Sequence, residues 1–291
     1  MKENFSDKNG RGLEYIIVDS ICKTFNVKLT NAAVRDQERD KVKFDNLNDS
    51  LKFNFKNAST KIVEWLEGKF SLKNIPLIIV DRISDMASAK GDVTDIRIIF
   101  GDSEINLSIK HNHSALKHQR PGALPQQIGL VKSDLRSTRY RSDYQLIIAN
   151  FIREAKRNFP GVTLFNEIKN TDPDYINEKL YSPVCYLVSN FLNENNHESA
   201  ADFFSFLVGN LSFFKIIVTS EQIRIIEFND IPKPNSFTSE VVGDSYVHLE
   251  FSNGWVIIMR LHTASSRLNT GSLKFDTQPY KIAVNEVVIK K

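Results

Sequence analysis

The sequence predicts an α+β fold, and three observations predict it. An apolar stripe at helical spacing opens the chain, a strict two-residue alternation surrounds a Gly-Asp pair at 101–102, and two-residue alternation returns from Phe213 onward. The 291 residues amount to one large domain or two interlocked ones. A front part, 1–160, and a helical then β-rich back part, 161–291, are expected to pack as one unit.

Taken in order, Leu13, Ile16, Ile17, Ser20 and Ile21 give the 3, 4, 7, 8 stripe of a helix over 11–25. Residues 31–58 mix charges without a clear period and read as exposed helix and loop. Ser59 can cap a helix running to about Phe70, with Ile62, Val63 and Leu66 inward. Pro76 opens an apolar strand, Leu77 to Val80, and 82–94 reads as a loop. Residues 112–119 read as a short helix and RPGALPQQIG as a loop. A helix covers about 141–158, and another starts at Asp172-Pro173, with Pro183 breaking or kinking it. An aromatic-rich segment fills 198–209. Strands then follow, including a pair about an Asn253-Gly254 turn and short runs at 273–275 and 281–289.

The segment 95–110, DIRIIF-GD-SEINLSIK, is the most informative. With Gly101-Asp102 as a two-residue turn, paired positions sum to 203. Ile96, Ile98, Phe100, Ile105, Leu107 and Ile109 then share one face. Asp95, Arg97, Ile99, Glu104, Asn106, Ser108 and Lys110 share the other, and a one-residue slip would mix the two. Asp95 falls opposite Ser108, with Lys110 two residues further on the same face. An acid there can hold a hard cation through oxygen. A lysine beside it can stabilise charge on a phosphate or orient a water. A surface ion pair is the plain alternative.

Composition limits the remaining possibilities. Hydrophobic residues make up 41% and charged residues 25%, which excludes disorder, collagen and coiled coil as global readings. No apolar run reaches the ~20 residues that span a bilayer, and the polar opening MKENFSDKNGRG has no secretory core, so a cytoplasmic protein without membrane contact is expected. Cys22 and Cys185 sit in apolar helical settings and read as core. There is no phosphate-binding glycine loop and no nucleophile elbow. Net charge is only +3, yet Lys110 to Arg141 holds seven Lys or Arg, one acid (Asp134) and three His. Such an excess suits a polyanion. Within it His111, Asn112, His113, Lys117, His118 and Arg120 follow the hairpin, and Lys132, Arg136, Arg139 and Arg141 form a second cluster. These are the candidate DNA contacts. His111-Asn112-His113 spells HNH, but the spacing of an HNH nuclease is absent.

GDVTDIRI followed by LSIKHNHSALKHQRP resembles the HaeIII-type group of type II restriction endonucleases, within the PD-(D/E)XK nuclease superfamily. MRLHTASSR…SLKFDTQ resembles the end of those enzymes, and GRGLEY their first helix. The resemblance implies a PD-(D/E)XK core (a mixed sheet flanked by helices) and Mg²⁺-dependent hydrolysis of double-stranded DNA at a short palindrome, GGCC. It implies a cognate methyltransferase as genetic partner, and the palindrome favours a homodimer. It makes Asp95 the central metal ligand, Lys110 the motif lysine and Glu14 a helix-borne carboxylate on the same metal. Ser108 departs from the pattern, standing where the superfamily usually has an acid. The second carboxylate is therefore sought first at Glu14, then Glu64, then Asp92. His262, Ser265, Ser266, Arg267 and Lys274 are polar members of the shared tail, without assigned roles. The alternatives are a PD-(D/E)XK nuclease of repair or modification-dependent cleavage, and a DNA-binding module whose catalytic site has decayed.

Overall fold

The computed structural model describes residues 5–83, 92–112, 116–282 and 284–291. The fold is α+β, and the chain divides into two compact units. One comprises Met1–Ser114, Asn210–Ile231 and Val284–Lys291, the other Ala115–Gly209 and Pro232–Ala283. This differs from the expected single boundary near 160. The chain leaves the first unit after 114 and returns twice, because strands from the back half complete the first sheet.

That sheet has seven strands, numbered along the chain: β1 (Val27–Leu29), β2 (Ile78–Arg82), β3 (Ile96–Phe100), β4 (Ser103–His111), β6 (Phe213–Val218), β7 (Gln222–Phe228) and β12 (Glu286–Lys290), adjacent in that order. β1 pairs with β2 and β4 with β6 in parallel, and the other pairs are antiparallel. The hairpin has the expected register, Ile96↔Leu107 through Phe100↔Ser103. Gly101 has φ 56°, as a turn with glycine at its first central position requires.

Three helices accompany this sheet: α1 (Phe5–Thr24), α2 (Asn31–Asp45) and α3 (Asp49–Phe70). Leu13, Ile17 and Ile21 of α1 join Phe55, Ile62 and Leu66 of α3 and Ile96, Ile98 and Leu107 of the hairpin in one apolar core. The densely charged stretch 31–58 is thus helical. Thr30 caps α2 by accepting from the Ala33 N–H, and Asn48 caps α3 by accepting from the Leu51 N–H. Ser59 is not a cap. It is buried in mid-helix, where its hydroxyl donates to the Lys56 carbonyl and accepts from Ser20.

The second unit pairs helices with an antiparallel five-stranded sheet. Its strands, in spatial order, are β5 (Lys117–Gln119), β11 (Leu273–Lys281), β10 (Val256–Thr263), β9 (Tyr246–Phe251) and β8 (Phe237–Val242). Residues 117–119 therefore form an edge strand rather than the expected helix, because they pair with Phe275–Thr277. The expected loop at 121–130 contains a short helix, α4 (Leu124–Gln127). The expected 141–158 helix starts earlier, as α5 (Leu135–Asn158) capped by Asp134, so it carries the second arginine cluster. α6 (Phe165–Thr171), α7 (Ser182–Glu194) and α8 (Ala200–Val208) follow. Pro183 lies just after a π turn over Asn177–Tyr181 that runs directly into α7, so the proline falls where the helical run is irregular. Among the described residues, no helix is long and apolar enough to cross a membrane.

Candidate active site

The hairpin register converts sequence spacing into contact. Asp95 precedes β3, and its N–H donates to the Leu107 carbonyl at 2.8 Å, extending the ladder by one step. Its Oδ2 accepts from the Ile109 N–H at 2.6 Å, from Lys110 Nζ at 3.0 Å and, more weakly, from Ser108 Oγ at 3.4 Å. Lys110 remains 29% exposed and Asp95 19%, so the pair is solvent-accessible and fixed by the backbone.

Glu14 is the second carboxylate of this region. α1 runs close to the end of α2 at Gly12, where a Cβ would stand 3.1 Å from Leu47 Cδ1. Two residues further on, Glu14 is only 6% exposed. Its Oε2 accepts from Arg82 and from Arg11, the latter at 3.2 Å. Arg82 also donates to Asp40 Oδ2 at 3.1 Å and Gln37 Oε1 at 3.0 Å, and Arg39 grips Asp40 with two bonds of 2.8 Å. Burial, then the charge of Asp95, push the Glu14 carboxyl up to about 7, against the pull of Arg82, Arg11 and Lys110. Two carboxylates thus feel one another at the end of the hairpin.

A stability prediction follows from this raised value. An acid whose folded pKa exceeds its unfolded one favours the folded state at low pH, and that contribution fades as pH rises through the folded pKa. In EDTA the protein should lose stability between about pH 4.5 and 7, on the order of 3 kcal/mol. Glu14→Gln should flatten that limb in urea titrations across this range. An unchanged pH profile in the variant would assign the limb to another group.

The other expected site residues fall as follows. Asp92 is held by Arg97 Nη2 at 2.7 Å and by the Thr94 N–H at 3.0 Å. Glu64 is on the exposed side of α3, turned from the buried stripe of Ile62, Val63 and Leu66. The basic tract is split, with Lys110 to Ser114 in the first unit and the remainder in the second. His111 closes β4, with its ring edge-on to Phe55 at 5.0 Å, and burial lowers its pKa. Asn112 adopts φ 55° and donates its N–H to the Val218 carbonyl, which ends the strand. His113 and the Lys117 side chain lie outside the described residues. His118 is exposed on β5. Arg120 donates to Ser272 Oγ at 3.1 Å. Arg136 is bound by Asp134, Asn195 and Glu198. Arg141 donates to the Lys132 carbonyl, while Lys132 and Arg139 face solvent.

One side chain of this region escapes sequence reasoning. Lys215 on β6 pairs with Ser108 in register and is 1% exposed. Burial, then the Lys110 charge, lower its pKa to about 7, with Asp95 opposing. The signal available was a lysine inside the otherwise apolar strand run FFKIIV. Arg82 and Asp40 were equally hidden, at the end of a strand and in a stretch that read as surface.

An acid and a lysine are thus hydrogen-bonded at the open end of the hairpin, with a buried glutamate within electrostatic reach, which is a set of groups that phosphodiester hydrolysis can use. Comparison with known proteins gives the family. Residues 10–235 match the HaeIII restriction endonuclease family, and the chain belongs to it. It is 28% identical over 238 residues to the type II restriction enzyme HaeIII of Haemophilus aegyptius, covering 65% of this chain and 67% of that one. No solved structure matches.

Proposed function

We propose that this chain is a Mg²⁺-dependent type II restriction endonuclease of the PD-(D/E)XK kind that cuts both strands of duplex DNA at a short palindrome. The observation that carries this reading is the 3.0 Å bond between Lys110 Nζ and Asp95 Oδ2, made where the Glu14 carboxyl is raised by burial and then by the same Asp95. Asp95 and Glu14, whose charges act on one another, would serve as a two-carboxylate set. Mg²⁺ fits such a set, since it commonly takes one or two carboxylates and completes its octahedron with water and substrate phosphate. When bound, it would supply Lewis acidity at a phosphate oxygen.

The chain's own residues would do the rest. Asp95, fixed through Oδ2 by the Ile109 N–H, and Glu14, whose Oε2 takes the Arg82 and Arg11 bonds, would hold the cation through their other oxygens. Lys110 would turn from Asp95 to the scissile phosphate, where its charge meets negative charge that grows in the transition state. Ser108 is too weak a ligand to replace an acid and would keep Asp95 in place. Resemblance to HaeIII suggests GGCC as the site, a cognate methyltransferase as genetic partner and a homodimer matching the two-fold of the DNA. A cytoplasmic location belongs to the same reading.

Metal dependence is the test. Asp95→Asn keeps the shape and removes the charge that holds the cation, so cleavage should fall at least about a thousandfold, a loss of ~4 kcal/mol. Raising Mg²⁺ should recover little. Recovery to within tenfold of the parent rate at high Mg²⁺ would remove Asp95 from the site.

Backbone contacts can be separated from structural arginines by salt. A side chain that neutralises a phosphate contributes roughly −0.9 to the slope of log K against log salt. Arg139→Ala should flatten that slope by about one unit on cognate and random duplexes alike. Arg136→Ala should leave the slope nearly unchanged, because Asp134 and Glu198 already neutralise it. The reverse pattern would place the DNA against the start of α5 through Arg136 instead.

A further inference from the structure

The buried face of β2 alternates Ile78, Val80 and Arg82, so the parity that carries two apolar side chains inward carries a guanidinium inward as well. β2 ends there, one step from the hairpin. Arg82 pairs with Ile96, and the Ile83 N–H donates to the Asp95 carbonyl at 3.2 Å. A charge buried at this point needs acceptors. α1 and α2 supply them. Arg82 Nη2 donates to Glu14 Oε2 and, at 3.1 Å, to Asp40 Oδ2, while Nη1 donates to Gln37 Oε1 at 3.0 Å.

Two of these three acceptors are anchored from their far sides. Asp40, fully buried, is gripped by Arg39 Nε and Nη2 at 2.8 Å each. Gln37 Nε2 donates to the Tyr15 carbonyl at 3.1 Å, in α1 next to Glu14. The guanidinium is thereby braced before it reaches Glu14. Arg11 adds a bond of 3.2 Å on the same oxygen, Oε2, so the direction of the other carboxylate oxygen is set by what holds this one. Apolar side chains of matching volume would serve the fold as well as such an ionic set. What the ionic set adds is a fixed orientation for Glu14.

We propose that Arg82 is a positioning residue for the cation site, braced by Asp40 and Gln37 so that it holds Glu14 ready beside Asp95. This rests on the reading of Asp95 and Glu14 as the carboxylates that hold the cation.

Charge and geometry pull in opposite directions here. A guanidinium near the site repels a cation through its field. A ligand held in place binds better, and loss of a group that orients a metal ligand weakens affinity by roughly 10–100-fold. Two substitutions leave the charge alone and remove the geometry. Arg82→Lys keeps the charge without the planar fork, and Gln37→Leu removes a brace without altering a bond to Glu14.

The measurement is Mn²⁺ binding to the full-length protein without DNA, followed through the paramagnetic resonance signal of the free ion, a readout independent of cleavage. We expect the dissociation constant to rise about tenfold in both variants. The Mg²⁺ concentration for half-maximal single-turnover cleavage should rise in step, with the rate at saturating Mg²⁺ close to that of the parent. Ser59→Ala, which removes a link between α1 and α3 farther along at Ser20, should lower stability and leave Mn²⁺ affinity unchanged. Gln37→Leu alters a partly buried amide, so it carries the test alone where Arg82→Lys unfolds. Parent-like Mn²⁺ affinity in Gln37→Leu and in folded Arg82→Lys would make the set purely structural and overturn the proposal. In that case loss of Mn²⁺ binding in Asp95→Asn would show the cation reading intact, whereas a parent that binds no Mn²⁺ would overturn both.

Discussion

Lys110→Ala is expected to lose cleavage altogether, by more than a thousandfold or ~4 kcal/mol of transition-state stabilisation, while its affinity for duplex DNA changes little. Lys110 holds Asp95 at 3.0 Å in the resting protein, is partly open to solvent, and lies one residue before the end of the strand whose register places it there. A group that acts on charge present only in the transition state contributes to rate and not to ground-state binding. Single-turnover cleavage and a binding titration on the same preparation separate the two. A variant cutting at more than a tenth of the parent rate would show that the lysine is merely half of an ion pair, worth about 0–1 kcal/mol.

Arg82→Met is expected to give the largest loss of stability. Its guanidinium is 1% exposed and serves Glu14, Asp40 and Gln37 together. Removing one member of a buried ionic set strands the others, at a cost of ~3–5 kcal/mol. Burial alone would raise the Asp40 carboxyl, and Arg39 and Arg82 outweigh it. The double variant Arg82→Met/Asp40→Asn should therefore lose less than the sum of the single changes, because the stranded charge is gone. Urea unfolding of the four proteins gives the comparison. An Arg82→Met variant within 1 kcal/mol of the parent would mean that the network is dispensable to the fold.

The hairpin was legible because its signal is parity. Two alternating runs about Gly101-Asp102 admit one register, and that register brings Asp95 to Lys110 without further information. Glu14 was legible as a residue flanking an apolar stripe, but its burial was not, since that depends on α2 closing over α1 at Gly12. Residues 31–58 hid two helices because their outward faces are densely charged, and the helical period sits on a few positions such as Ala33, Phe44 and Phe55. The strand at 117–119 is three residues long and exists only through its pairing with β11. The division of the chain was hidden for a related reason. β6 lies parallel to β4 across about a hundred residues of intervening chain, and pairing at that separation leaves no local mark. Lys215 was missed because it acquires its neighbours from that distant pairing.

The most direct test of the central claim is digestion of an unmethylated supercoiled plasmid by the purified protein with Mg²⁺, followed by sequencing of every new end. The predicted result is a fixed set of fragments whose 5′-phosphate ends all abut one short palindrome, with no such fragments from Lys110→Ala. Ends scattered without a common sequence, or a plasmid left uncut, would contradict it.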